Sequence, residues 1–121
     1  MAINFNQVLD VHADALKLRA ERTKVLASNL ANVNTPGYQA RDIDFAATLR
    51  RAGEDDAMDL PLDTQGADLA YRVPNHPSED GNTVELGVEQ AAFSQNASDF
   101  QMSLTFVQMK LKGLAQAITG Q

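Results

Sequence analysis

The 121 residues contain no cysteine, which excludes disulfides, thiolate metal sites and cysteine nucleophiles. No apolar run approaches the ~18 residues that a membrane-crossing helix requires. The opening stretch, MAINFNQVLD, has neither the basic nor the apolar region of a cleaved export signal, so neither a span nor Sec-type export is expected. Positive charge is scarce in the middle: residues 53–92 hold one Lys/Arg against ten acids, whereas residues 1–52 hold seven against five and residues 93–121 two against one. The net charge of −6 therefore belongs to the middle. No basic stripe interleaved with aromatics offsets it, which argues against nucleic acid as a partner.

What is present is helical periodicity at both ends. Leu9, Ala13, Leu16, Ala20, Thr23, Ala27 and Leu30 recur in steps of four and three, with no Pro or Gly between Val8 and Ala31. That spacing is a heptad seam on one helix. Phe93, Ala97, Phe100, Leu104, Val107, Leu111, Leu114 and Ile118 repeat the pattern with bulkier residues. Small residues on the first seam face large ones on the second, so an antiparallel pair is expected. The fold class is mainly α: long N- and C-terminal helices paired as an antiparallel coiled coil, joined by an irregular, acidic middle with at most short strands. In chain order this gives an N-terminal helix in 1–33, a turn motif and loop in 34–87, and a C-terminal helix in 88–121.

Beside the second seam runs another apolar stripe, Met102, Phe106 and Met109. One partner helix cannot cover both stripes, and a helix of about thirty residues spans ~45 Å, longer than the ~35 Å diameter of a compact chain of this size. The stripe is therefore an inter-subunit candidate, and the isolated chain is expected to be partly disordered until assembly. In the middle, Leu69–Val73 and Thr83–Leu86 read as short extended pieces.

Candidate chemistry is thin. Asp10 and Asp14 share a helix face while His12 points elsewhere, so the three do not converge on a metal. His76 between Pro74 and Pro77 lacks a second fixed partner. The acidic run Glu54, Asp55, Asp56, Asp59 and Asp63 lacks the alternation, central Gly and closing Glu of a calcium loop. No phosphate loop or nucleophile motif occurs, so no catalytic, cofactor-binding or metal residues are assigned and no small-molecule substrate is expected.

The most specified stretch is Leu30 to Phe45, LANVNTPGYQARDIDF. Pro36 disfavours the helical region for Thr35, and Thr35-Pro36-Gly37-Tyr38 suits a type II turn with Gly at the positive-φ position. Asn29, Asn32 and Asn34 can bond helix-end carbonyls or the turn backbone.

Ala31-Asn32-Val33-Asn34-Thr35-Pro36-Gly37-Tyr38 matches the A-N-x-x-T-P-G-Y signature of the bacterial flagellar rod and hook axial protein family. The longer string from Arg22 to Phe45 and the closing segment VELGVEQAAFSQNASDFQMSLTFVQMKLKGLAQAI resemble its proximal rod members, leaving only the middle unmatched. The resemblance implies paired terminal helices in the inner part of a tubular assembly and export through the flagellar type III apparatus without a cleaved signal. It also implies a place in the periplasmic rod of the basal body. Implied partners are other copies of the chain, other flagellar rod proteins, the adaptor FliE and the export gate or membrane-ring base. A cytoplasmic helical adaptor or export chaperone is the competing reading.

Overall fold

The computed structural model describes residues 5–48 and 69–120. The acidic run at 54–63 lies outside the described residues. Two helices dominate: α1, Phe5–Ala31, and α2, Leu86–Thr119. Between them lie two three-residue strands, β1 (Arg41–Ile43) and β2 (Leu69–Tyr71), paired antiparallel with Asp42 opposite Ala70. At 1.5 Å per residue the helices span ~40 and ~51 Å. α1 persists because its interior holds neither Gly nor Pro. α2 ends where Gly120 adopts a left-handed conformation, φ 71°, and its N–H donates to the Gln116 carbonyl at 2.9 Å. Among the described residues no helix is long and apolar enough to cross a membrane.

Contacts between the helices run in opposite order along α1 and α2. The His12 ring stacks on Phe106 at 6.1 Å, and Arg19 Nη1 donates to Asp99 Oδ2 at 3.0 Å. Asn96 Nδ2 reaches Thr23 Oγ1 and the Arg19 carbonyl, and Asn29 Nδ2 reaches Glu89 Oε2. On another side of α1 the strand pair packs an apolar cluster of Leu18, Val25 and Ile43, flanked by Phe45 and Leu69. The Arg19 guanidinium also lies 4.4 Å above the Phe45 ring, a cation–π contact that links the two sides.

The interior is unusually polar. Among the described residues, of the four largest fully buried side chains only Leu26 is apolar; Asn29, Glu89 and Asn96 are the others. Buried polar groups of this kind must be hydrogen-bonded to be tolerated, so they specify geometry more tightly than apolar contact would.

The heptad positions read from the sequence are distributed unevenly. Leu9, Ala13, Leu16, Thr23 and Leu30 are half-buried, whereas Ala20 and Ala27 are exposed. On α2, Phe93, Phe100, Leu104, Val107 and Leu114 are half-buried, and Ala97, Leu111 and Ile118 are exposed. The α1 side chains that reach α2 include His12, Arg19 and Asn29. Apolar spacing weights Ala above His or Arg, but partners some 60 to 80 residues away in sequence set the helix rotation.

Candidate functional site

The turn forms as its sequence demands. Tyr38 N–H donates to the Thr35 carbonyl at 3.3 Å across Pro36-Gly37, and Gly37 sits at φ 73°. Asn32 closes the end of α1, donating through Nδ2 to the Ser28 carbonyl at 2.8 Å while its Oδ1 accepts from the Thr35 hydroxyl at 3.1 Å. Asn34 is exposed.

A second segment clamps this turn from outside. Gly37 N–H donates to the Asp80 carbonyl and Thr83 N–H to the Tyr38 carbonyl, both at 2.9 Å. Ala40 N–H donates to Thr83 Oγ1 at 2.7 Å. Asn82 is the centre of the clamp: its buried amide lies 2.9 Å from each of the Asn32, Val33 and Thr35 carbonyls, and its Oδ1 accepts from Val84 N–H. The backbones approach closely here, for a side-chain carbon built at Gly81 (φ 76°) would stand 3.6 Å from Gly37 Cα. Just before α2, Glu85 accepts from the Asn75 side chain and backbone and from His76 N–H; these bonds hold its carboxyl below the usual carboxylate range. His76 thus contributes backbone to the loop.

Beneath the turn lies a buried polar joint that draws on both helices and the strand pair. Asn29, fully buried, pairs with the Arg41 backbone as another strand would: Nδ2 donates to the Arg41 carbonyl at 2.6 Å and Oδ1 accepts Arg41 N–H at 3.2 Å. The same Oδ1 accepts from Tyr38 Oη at 3.2 Å, and Nδ2 also reaches Glu89 Oε2 at 3.0 Å. From Glu89 the chain of contacts continues through Arg72 Nη1 at 2.6 Å, from Arg72 Nη2 to Asp42 Oδ2 at 2.7 Å, and from Asp42 to Arg22 by two bonds of 2.9 Å. Two guanidinium groups balance two carboxylates. Burial pushes the Asp42 carboxyl up, but the bond and charge of Arg22, the Ile43 N–H and Arg72 together overcome it and leave the group below its ordinary value. Reciprocally, the Asp42 hydrogen bond holds Arg22 above its own, against the opposing effect of burial. Such a network is costly unless complete, so it forms only when both helices and the strand pair are in place.

Asn29, expected from the sequence to bond helix-end carbonyls or the turn backbone, pairs with the Arg41 backbone and Glu89 instead, and sequence spacing gathers neither Arg22, Asp42, Arg72 and Glu89 into one joint nor Asn82 into the clamp. A usable signal was the placement of Glu89 one heptad before Asn96, polar residues where a helix facing a partner should be apolar.

The third feature is the outer face of α2. Met102, Phe106 and Met109 are 57%, 47% and 63% exposed, Phe106 keeping part of its ring against His12 of α1, and Leu111 and Ile118 are exposed as well. α1 begins seven residues before His12, whereas α2 continues thirteen beyond Phe106. The overhang is ~9 Å. Among the described residues no group of three His, Asp or Glu side chains gathers as metal ligands.

Comparison with known proteins bears on this arrangement. The profile of the family described as flagella basal body rod protein matches residues 9–39, the greater part of α1 and the turn. The flagellar basal body rod protein FlgB of Salmonella typhimurium is 38% identical, with 99% of each chain covered. FlgB of Escherichia coli is 39% identical over 98% of this chain and 97% of its own, and FlgB of Cereibacter sphaeroides 42% identical over 97% and 98%.

Proposed function

Similar to these relatives along nearly its whole length, the chain belongs to the FlgB family of flagellar basal body rod proteins, and from that premise we propose how it is built into the rod: the polar joint sets the angle between the helix pair and the strand pair, and the outer face of α2 meets neighbouring subunits. The family is structural, so the chain is a component of the proximal rod that serves motility and is not an enzyme.

One observation carries the finer reading: large apolar side chains are exposed along a helix that outruns its partner. A row such as Met102, Phe106 and Met109 is more than a folded monomer usually leaves in water, and burying each side chain contributes ~1.5–3 kcal/mol. Covering it is the driving force for polymerisation. In this reading α1 and α2 are the arms of an antiparallel coiled coil, and the covering surfaces come from other copies and from unlike axial proteins. The adaptor FliE and the export gate or ring base are contacts at the inner end. The subunit reaches the periplasmic rod through the flagellar type III apparatus with no cleaved signal.

Replacing Met102 and Phe106 together by Ser tests this. The double variant is expected to be exported at the normal level yet missing from purified basal bodies, with motility lost. Unimpaired swimming would remove the stripe from the account. Recovery of the unaltered protein only from the cytosol of flagellated cells would favour an adaptor or chaperone instead.

A further inference from the structure

The two residues of α2 that are buried are both polar, Glu89 and Asn96, and they stand one heptad apart on the side that meets α1. The large apolar side chains of the helix are only half-buried, as Phe93, Phe100, Leu104, Val107 and Leu114 are, or exposed, as Met102, Met109, Leu111 and Ile118 are. This inverts the usual arrangement, in which the buried row is apolar and the polar residues are outside. We propose that Asn96 is a specificity-determining residue of the helix pair: it fixes the register in which α2 lies on α1, and so fixes which apolar rows remain outside for assembly.

The argument rests on what Asn96 meets and on what it would meet elsewhere. Its amide donates to Thr23 Oγ1 at 2.9 Å and to the Arg19 carbonyl at 3.0 Å, and Thr23 in turn donates to that carbonyl at 3.0 Å. Next to it, Arg19 bonds Asp99, which Gln95 also reaches at 3.0 Å. Thr23 is the single threonine of α1. Sliding α2 by one heptad toward the start of α1 would bring Glu89 to Arg22, an acceptable partner, but would set Asn96 against the Leu16 side chain in place of the Thr23 hydroxyl and against the His12 carbonyl in place of that of Arg19. Apolar contacts alone do not penalise that slip, because seams that repeat every seven residues match again after seven. A buried amide that exchanges the Thr23 hydroxyl for the Leu16 side chain does.

The fit is imperfect even in place: Asn96 Oδ1 and Arg19 Nε are buried without partners. A residue retained for stability alone would be apolar here, whereas one retained for register is expected to weaken the pair it specifies.

Because the chain has no cysteine, nitroxide labels can be placed on Lys17→Cys and Gln101→Cys in the full-length protein and their separation read by pulsed electron resonance after dilution with unlabelled chain. With Asn96 present, one narrow distance is expected. Asn96→Leu should raise the melting temperature or leave it unchanged, and should add a second population at longer distance, because a heptad slip carries the two facing labels about 10 Å apart along the helix axis. Asn96→Ala, which removes the amide without adding bulk, should broaden the distribution in the same way. A single unchanged distance in both variants would overturn the proposal, because the joint at Glu89 would then suffice. A lower melting temperature for Asn96→Leu with the register intact would also overturn it, since Asn96 would then be an ordinary stabilising residue.

Discussion

Replacing Asn29 by Ala should be among the most damaging single changes in the chain. Its amide satisfies the Arg41 N–H and carbonyl and one oxygen of the fully buried Glu89. Two neutral bonds at ~1 kcal/mol each and one to a charged group at ~1.5–3 kcal/mol give a loss of roughly 3–5 kcal/mol. Tyr38 mitigates this little, because its hydroxyl already has Ser28 Oγ at 3.2 Å. Against a total stability of ~5–15 kcal/mol for a folded domain, such a loss shifts the population visibly, lowering the thermal midpoint by more than ~10 °C. The assay is urea unfolding followed by circular dichroism at 222 nm, with Asn34→Ala as the control, since Asn34 is exposed and its loss should fall within ~0.5 kcal/mol. Asn29→Asp should be at least as harmful as Ala near neutral pH, because it sets a carboxylate oxygen against Glu89. An Asn29→Ala variant within ~1 kcal/mol of the parent would refute the reasoning, since the joint could then be opened without consequence.

Asn82→Ala should cost ~2–3 kcal/mol by freeing the carbonyls at the end of α1, and hydrogen exchange should localise the loss to residues 32–40 and 80–84. Gly37→Ala meets no atom within 4 Å, so only the left-handed backbone opposes it; a loss of ~1 kcal/mol is expected, and a much larger one would point to an unseen contact. The depressed Asp42 carboxyl contributes stability that is fully present above its unfolded pKa of ~3.9 and is lost as pH falls through the lower folded value. Asp42→Asn should therefore be less stable at pH 7 and lose less on acidification below about pH 4; an acid-unfolding curve with the same slope as the parent would contradict the assignment.

Much of the helical architecture was legible because its causes are local. Pro36 and Gly37 dictate a turn whose φ follows from residue type, and the lack of breakers between Val8 and Ala31 dictates α1. The extended piece expected at Leu69–Val73 is strand β2 through Tyr71, whereas residues 83–85 carry no strand and β1 was not anticipated as one. β1 escaped notice because three residues of mixed polarity have no period; it is a strand because Asn29 lines one edge and β2 the other. The joint was illegible for a related reason. Arg22, Asp42, Arg72 and Glu89 are spread over 68 positions of sequence, and each alone looks like a solvated charge. Only their convergence makes them a site. The rotation of α1 likewise turns on Arg19 and His12, whose partners lie on a helix that begins more than fifty residues after α1 ends.

The central claim is that the outer face of α2 is finished by neighbouring subunits, and residue-resolved hydrogen exchange of dilute monomer against assembled rods tests it most directly. Fast exchange over residues 107–119 in the monomer, slowed by orders of magnitude in the rod, is the outcome the account predicts. Equally slow exchange of that half-helix in the monomer, independent of concentration, would contradict it.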